Sequence, residues 1–193
     1  MCFHAQQTTS SDTVHRHFGT KGPITSGIFN GFSHPQITAI TDKNPEETCL
    51  MDWGLIPHWG KDPSIKRYTL NARLETLSEK PAYRSANRCL VLVDGFFEWQ
   101  WLDAQGKQKQ KHLIGLPSGK PFAMAGLWDE WVNPKTGEIV QSLSIVTTAA
   151  EGIMREIHNS KQRMPIVLLG NEKTKWLNQK PIQAFHEFIA HAI

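Results

Sequence analysis

The second residue of the chain is a cysteine, and its chemistry depends on whether Met1 stays in front of it. Methionine aminopeptidases generally trim Met ahead of a small side chain, so the mature chain is expected to begin at Cys2. A thiol and a free α-amine then share one residue. The amine titrates near pH ~8 and the thiol near ~8.5, so both nucleophiles are accessible at neutral pH, and neighbouring positive charge raises the thiolate fraction. Aldehydes suit such a pair. The amine condenses to an imine, the thiolate adds to the imine carbon, and a five-membered thiazolidine closes at little entropic cost because both groups are tethered. Taken alone, a cysteine at a terminus is ordinarily an inert chain end.

Four further stretches set polar groups among aromatics: Trp53-Gly54-Leu55-Ile56-Pro57-His58-Trp59, Asn71-Ala72-Arg73-Leu74-Glu75-Thr76, Asp94-Gly95-Phe96-Phe97-Glu98-Trp99, and Ile157-His158 followed by Arg163-Met164-Pro165. In a strand where Phe97 and Trp99 face one way, Glu98 faces the other with Phe96, Gln100 and Leu102, so its carboxylate meets either solvent or a cavity. In a cavity its pKa rises, and it can pass protons during imine formation or hold the Cys2 amine. His158, at the end of a predicted helix, is a second general-acid candidate with a pKa suited to neutral pH; the alternative is a surface C-cap. Asn71 is a candidate anchor for the Cys2 backbone. Arg73 takes either a phosphate or an ion pair with Glu75.

Charge and composition narrow the partners. The net charge is only +3, yet Lys61 to Arg88 carries seven basic residues against three acidic ones, a balance of +4. A basic segment of this kind, which includes Arg73 and Arg84, fits a phosphate backbone or else a solvated face. Trp53 and Trp59 on one side of it and Trp99 and Trp101 on the other offer faces for unpaired bases, although Trp99 and Trp128 are expected in the core. Three cysteines without a CxxC spacing and nine histidines without HExxH give no disulfide framework and no metal site, and no cofactor motif is present. No apolar run approaches the ~18 residues of a spanning helix, and the first eighteen residues lack a signal-peptide core. A cytoplasmic monomer with no membrane partner is expected.

The elements that must position these residues follow from periodicity and turn chemistry. A short helix is predicted over Thr13–Phe18, ended by Gly19, and Gly19–Ser33 reads as loop. Strands are predicted over Ile37–Thr41, Cys49–Ile56, Cys89–Val93 and Phe97–Leu102, the last turning at Ala104–Lys107 into a Lys-rich strand. Lys61–Asn87, broken by Pro63 and Pro81, reads as a long loop with a helical turn near Leu74–Lys80. Pro121–Trp128 and Glu138–Thr147 flank a second hairpin turn, Ala149–Ile157 reads as a helix, and Met164–Leu169 as a strand. Helices over Glu172–Leu177 and Pro181–Ala190 finish the chain. The expected fold is α+β, a mostly antiparallel, barrel-like sheet with a few flanking helices, in one domain over residues 1–193.

With Cys2 at the front and the four stretches in this order, the chain resembles the SOS-response-associated peptidase (SRAP) family from Cys2 to about Leu168. The resemblance implies a single α+β domain with a positively charged cleft. It implies that abasic sites in single-stranded DNA are recognised and that Cys2 joins the sugar aldehyde as a thiazolidine. By motif, Cys2 is the nucleophile, Asn71 and Glu98 position and deprotonate it, and His158 assists proton transfer at the sugar ring. Trp53, Trp59, Arg73 and Arg163 are the implied DNA contacts, and Arg84 of the basic segment is a further candidate contact. The family also implies self-removal of the residue ahead of Cys2 and a lyase activity on abasic DNA. Two departures stand out: Phe3-His4 occupies the place where the family usually has Gly-Arg, and Asn159–Gln162 separates His158 from Arg163 where one residue is usual. From the residues alone, two competitors remain: a peptidase or amidase whose terminal Cys2 attacks a carbonyl with its own amine as base, and a noncatalytic single-strand binding module.

Overall fold

The computed structural model describes residues 2–183 and 187–193. In chain order the elements are β1 (His4–Gln7), α1 (Ser11–Phe18), β2 (Gly27–Asn30), β3 (Gln36–Thr41), β4 (Thr48–Trp53), β5 (Asn71–Arg73), β6 (Asn87–Val93), β7 (Gly95–Trp101), β8 (Lys109–Gly115), β9 (Phe122–Val132), β10 (Ile139–Ala149), α2 (Ile153–Ile157), β11 (Arg163–Pro165), β12 (Val167–Leu168), α3 (Glu172–Leu177) and β13 (Ile189–Ala192). One sheet runs β10-β4-β3-β6-β9, and β9 pairs again with β10, so these five strands close into a ring. Closure leaves no free edge among them. A second sheet runs β13-β8-β7-β1-β2. Pairing is antiparallel except where β4 and β5 lie parallel to β10.

The continuous apolar run Cys89–Val93 in β6 follows from burial on both faces. Cys89, Val91 and Val93 belong to the core cluster that also takes Ala39, Met51, Met124 and Ile145 from other ring strands. Leu90 and Leu92 turn the other way, into the cluster that includes Val14 of α1 and Trp176 of α3. Helix α1 ends as its sequence requires: Gly19 sits at φ +69° and its N–H donates to the His15 carbonyl.

Asp94 and Gly95 carry the chain directly from β6 in the ring to β7 in the second sheet. The Asp94 carboxylate accepts the backbone N–H of Thr8 and of Thr9, both at 2.6 Å. That ties the end of β1 to the start of β7. At Gly95 the strands pack closely, since a Cβ there would lie 2.8 Å from Leu113 Cδ1 and 3.4 Å from the Ile114 carbonyl oxygen.

Several local expectations are corrected. The segment Gly19–Ser33 contains β2 and a 3-10 turn over Gly31–Ser33, formed because β1 supplies β2 with a partner. The long loop Lys61–Asn87 contains 3-10 turns at Pro63–Tyr68 and Leu74–Thr76, with β5 between them recruited by β10. Helix α2 starts only at Ile153, because Ala149 is still paired with Arg163. The expected helix Pro181–Ala190 is not formed at Pro181–Gln183, and Ile189-Ala190 lie in β13 along β8; its middle, residues 184–186, falls outside the described residues. Trp128 is core, with its indole N–H donating to Asp42, whereas Trp99 is only partly buried.

Candidate active site

Cys2 stands just ahead of β1, the strand between β2 and β7, and exposes no surface. Its carbonyl accepts a 2.8 Å hydrogen bond from Asn71 Nδ2. Asn71 is held in turn, since β5 lies along β10 with Asn71 opposite Ile145 and its own carbonyl accepts the Tyr83 hydroxyl. Glu98 comes from the middle of β7, where Phe97 is the partner of His4. Its side chain faces a cavity and not solvent, sharing with Phe96 the face that enters the core. His158 caps α2, and its Nε2 lies 3.9 Å from Glu98 Oε2. A thiol, the side chain that donates to its residue's carbonyl and two titratable groups thus converge from the start of β1, β5, β7 and α2.

Burial decides the protonation states. It pushes the Glu98 carboxyl up to about 7 and brings His158 down to about 4. The Cys2 thiol is pushed well above its ordinary range by burial and then by the Glu98 charge. His158 Nδ1 faces both the Arg163 carbonyl, at 2.6 Å, and the Arg163 backbone N–H, at 3.2 Å; the shorter contact is to an oxygen that can only accept, so the proton is assigned to Nδ1 and the lone pair to Nε2, towards Glu98. At neutral pH His158 is therefore a neutral imidazole. The expected near-neutral pKa belongs to Glu98.

Glu98 and His158 line a cleft of about 390 Å³. Aromatic rings form much of the rest: Phe3 against Phe32 with centroids 4.7 Å apart, and Trp99, whose ring meets His4 edge-on at 4.8 Å, followed by Trp101. Lys109 and Lys161 supply positive charge.

The family model for SOS response associated peptidase (SRAP) matches residues 1–192. The chain belongs to the SRAP family. It is 39% identical over 147 residues to the abasic site processing protein YoqW of Bacillus subtilis, a match covering 75% of this chain and 63% of that protein. It is 36% identical over 162 residues to the abasic site processing protein HMCES of Xenopus tropicalis, covering 71% of this chain and 47% of HMCES. The chain thus spans less than two thirds of these relatives. A crystal structure of a Bacteroides thetaiotaomicron protein superposes with a TM-score of 0.89 at 31% identity, covering 100% of this chain and 92% of that one.

The SRAP motifs divide between site and scaffold. Trp53, expected as a base contact, is fully buried, with its indole N–H donating to the Leu70 carbonyl at 2.9 Å. No ring face is left for a base; it supports the residue before Asn71. Gly54 follows at φ +124°, where a Cβ would lie 2.8 Å from His34 Nδ1. Trp59 is 50% exposed but does not line the cleft. Arg163, the other expected contact, is committed: its guanidinium grips Glu75 at 2.8 and 2.9 Å and reaches the Thr147 carbonyl at 2.7 Å. Arg163 therefore takes the ion pair considered for Arg73. Arg73 stays exposed, two residues beyond Asn71 on the same side of β5. Arg84 is exposed beside a different recess, with Arg88 and Gln179.

Part of the basic segment's charge is neutralised or stacked. Lys66 pairs with Asp52, and Arg88 lies 4.0 Å over the Trp176 ring. The cleft's cations come instead from β8 and from the turn after His158, which were missed. A signal existed for β8: the Ala104–Lys107 turn places Lys109 and Lys111 opposite Trp101 and Trp99, as their pairing has it.

The four residues between His158 and Arg163 form a turn. Asn159 accepts the Trp101 N–H at 3.1 Å and donates to the Trp101 carbonyl at 2.9 Å, while Gln162 N–H returns to the His158 carbonyl. Arg163 re-enters β11 opposite Ala149.

Proposed function

We propose that this protein captures abasic sites in single-stranded DNA, joining Cys2 to the sugar aldehyde as a thiazolidine once Met1 is gone. The observation that carries this reading is the convergence of Asn71, Glu98 and His158 on Cys2 beside a cationic, aromatic cleft. The printed names of the relatives, abasic site processing proteins, supply the substrate class. While Met1 is attached, the Cys2 nitrogen is an amide and cannot condense with an aldehyde. Removal of Met1 by hydrolysis, through self-processing at the same site or by an aminopeptidase, frees the amine.

Capture then proceeds with one water lost. The amine adds to the aldehyde carbon, and the carbinolamine hydroxyl leaves as water when a proton reaches it. Glu98, poised near neutrality, donates that proton and is left ionised. It then takes the thiol proton as Cys2 Sγ bonds to the imine carbon, and the nitrogen retains its own hydrogen. The buried thiol needs this base because it is not ionised beforehand. His158, neutral with its lone pair on Nε2, takes the proton of the sugar C1 hydroxyl and returns it to the ring oxygen as the C1–O ring bond breaks, so the ring opens to the aldehyde with no net change at His158. Lyase cleavage is an alternative outcome at the imine stage, before the sulfur closes the ring. Trp59, Arg73 and Arg84 serve as more distant contacts for the strand.

The test uses protein shown by mass spectrometry to begin at Cys2, mixed with a single-stranded oligonucleotide bearing one abasic site. The expected product is stable to heat and denaturant, has the summed mass less one water, and is absent for Cys2→Ser. No such product from the trimmed protein refutes the reading.

A further inference from the structure

The cleft extends beyond what capture of one sugar requires. Its outer part carries Phe32, which is 59% exposed although it is a large apolar side chain. The residue is not loose. Its N–H donates to the Asn30 side chain at 3.0 Å, Ser33 Oγ donates to the Asn30 carbonyl, and the Gly31 N–H donates to the Phe3 carbonyl at 2.8 Å. Beneath this turn lies the buried Trp53 ring, 3.2 Å from where a Cβ on Gly31 would be. The turn is therefore built to hold a phenyl ring out in water, against Phe3 and one residue from Cys2. Across the cleft, Asn159 pins the inserted turn to Trp101 by two hydrogen bonds, which sets Lys161 on the wall. Lys109, 5.5 Å above the Trp101 ring, stands beside it.

We propose that Phe3 and Phe32, with Lys161 and Lys109, form a subsite for the intact nucleotide next to the reacting one. The base lies on the exposed Phe32 ring and the phosphate meets the two lysines. This rests on the capture reading above. It gives a role to both departures of this chain: an aromatic at residue 3 where the family usually has Gly, and the lengthened turn after His158. A fixed aromatic face binds any base, so this subsite favours unpaired nucleotides without reading their sequence.

Binding is measured by fluorescence anisotropy, over a range of salt, with an intact single-stranded oligonucleotide and with one carrying a tetrahydrofuran abasic analogue. Neither has an aldehyde, so no covalent bond forms. Phe32→Ala is expected to weaken binding of both by about tenfold with the salt slope unchanged, and Phe32→Trp to restore it. Lys161→Gln is expected to flatten the slope by ~0.7. Lys21→Gln, which removes the same charge from a residue paired with Glu47, is expected to leave the slope alone. Binding by Phe32→Ala within about twofold of the parent overturns the subsite, as do equal slopes for the two lysine variants. Crosslinking on true abasic DNA separates the two readings. A parent that crosslinks but shows no dependence on Phe32 loses the subsite alone. A parent that never crosslinks yet depends on Phe32 and Lys161 keeps the subsite and loses the capture chemistry.

Discussion

Replacing Glu98 by Gln tests whether this carboxyl is the proton carrier of the site. Its side chain is only 7% exposed, and burial raises it from 4.5 to about 7. A carboxyl whose folded pKa is raised favours the fold while protonated. Its contribution is fully present below the unfolded value and is lost as pH rises through about 7. At 1.36 kcal/mol per unit, that loss amounts to ~3 kcal/mol between acid and mildly alkaline solution. Glu98→Gln removes the titration and keeps the shape. The stability of the variant relative to the parent should therefore rise by ~3 kcal/mol between pH ~4.5 and ~8. His158 acts oppositely: its pKa is brought down to about 4, so its contribution is present above 6.5 and lost as pH falls. Because His158 is in both proteins, its effect largely cancels in the difference. Urea denaturation of both proteins in a series of buffers measures that difference, and the same proteins, trimmed to Cys2, give the capture rate. Capture by Glu98→Gln should be slower by ~10²–10⁴ and should lose the limb near neutrality. A stability difference constant to within ~0.5 kcal/mol across the range would refute the placement of a raised carboxyl at this position.

Asn71→Ala removes the donor to the Cys2 carbonyl and should cost ~1–3 kcal/mol in urea denaturation while slowing capture, because the nucleophile loses its anchor. Arg163→Ala should destabilise through the lost contacts to Glu75 and Thr147. Arg163 holds the Glu75 carboxyl below its usual range, a stabilisation present above pH ~4.5 and lost on acidification, so the gap to the parent should narrow as pH falls. The two flanking tryptophans should behave differently. Trp53→Phe should cost ~0.5–1.5 kcal/mol by removing one of the two donors to the Leu70 carbonyl, which keeps the Ile145 N–H. Trp59→Ala, at a half-exposed position, should shift stability by less than ~0.5 kcal/mol and instead weaken single-strand binding in anisotropy titrations.

Local chemistry was legible in the residues. The alternation that turns Glu98 away from Phe97 and the Gly19 stop of α1 each depend on near neighbours. The antiparallel, barrel-like sheet was legible too, because short apolar strands and hairpin turns repeat along the chain. Elements that form only with a distant partner were not. Strand β2 needs β1, β5 needs β10, and β13 needs β8, so their own sequences read as loop or helix. Charge was the least legible property, since a count of lysines and arginines does not say which meet a carboxylate or an aromatic face.

The sequence by itself determined which groups are available: a thiol at residue 2, a carboxyl on a strand, an imidazole at a helix end, and motifs in a recognisable order. Only the tertiary structure decided their states and duties. Burial made Glu98 the group near neutrality and His158 a neutral imidazole and enclosed Trp53, while pairing with Glu75 committed Arg163, so neither of these two expected DNA contacts is left open to a strand. The physical reason is that solvation and pairing depend on what the whole fold brings within a few ångströms, and those neighbours lie far apart in the chain.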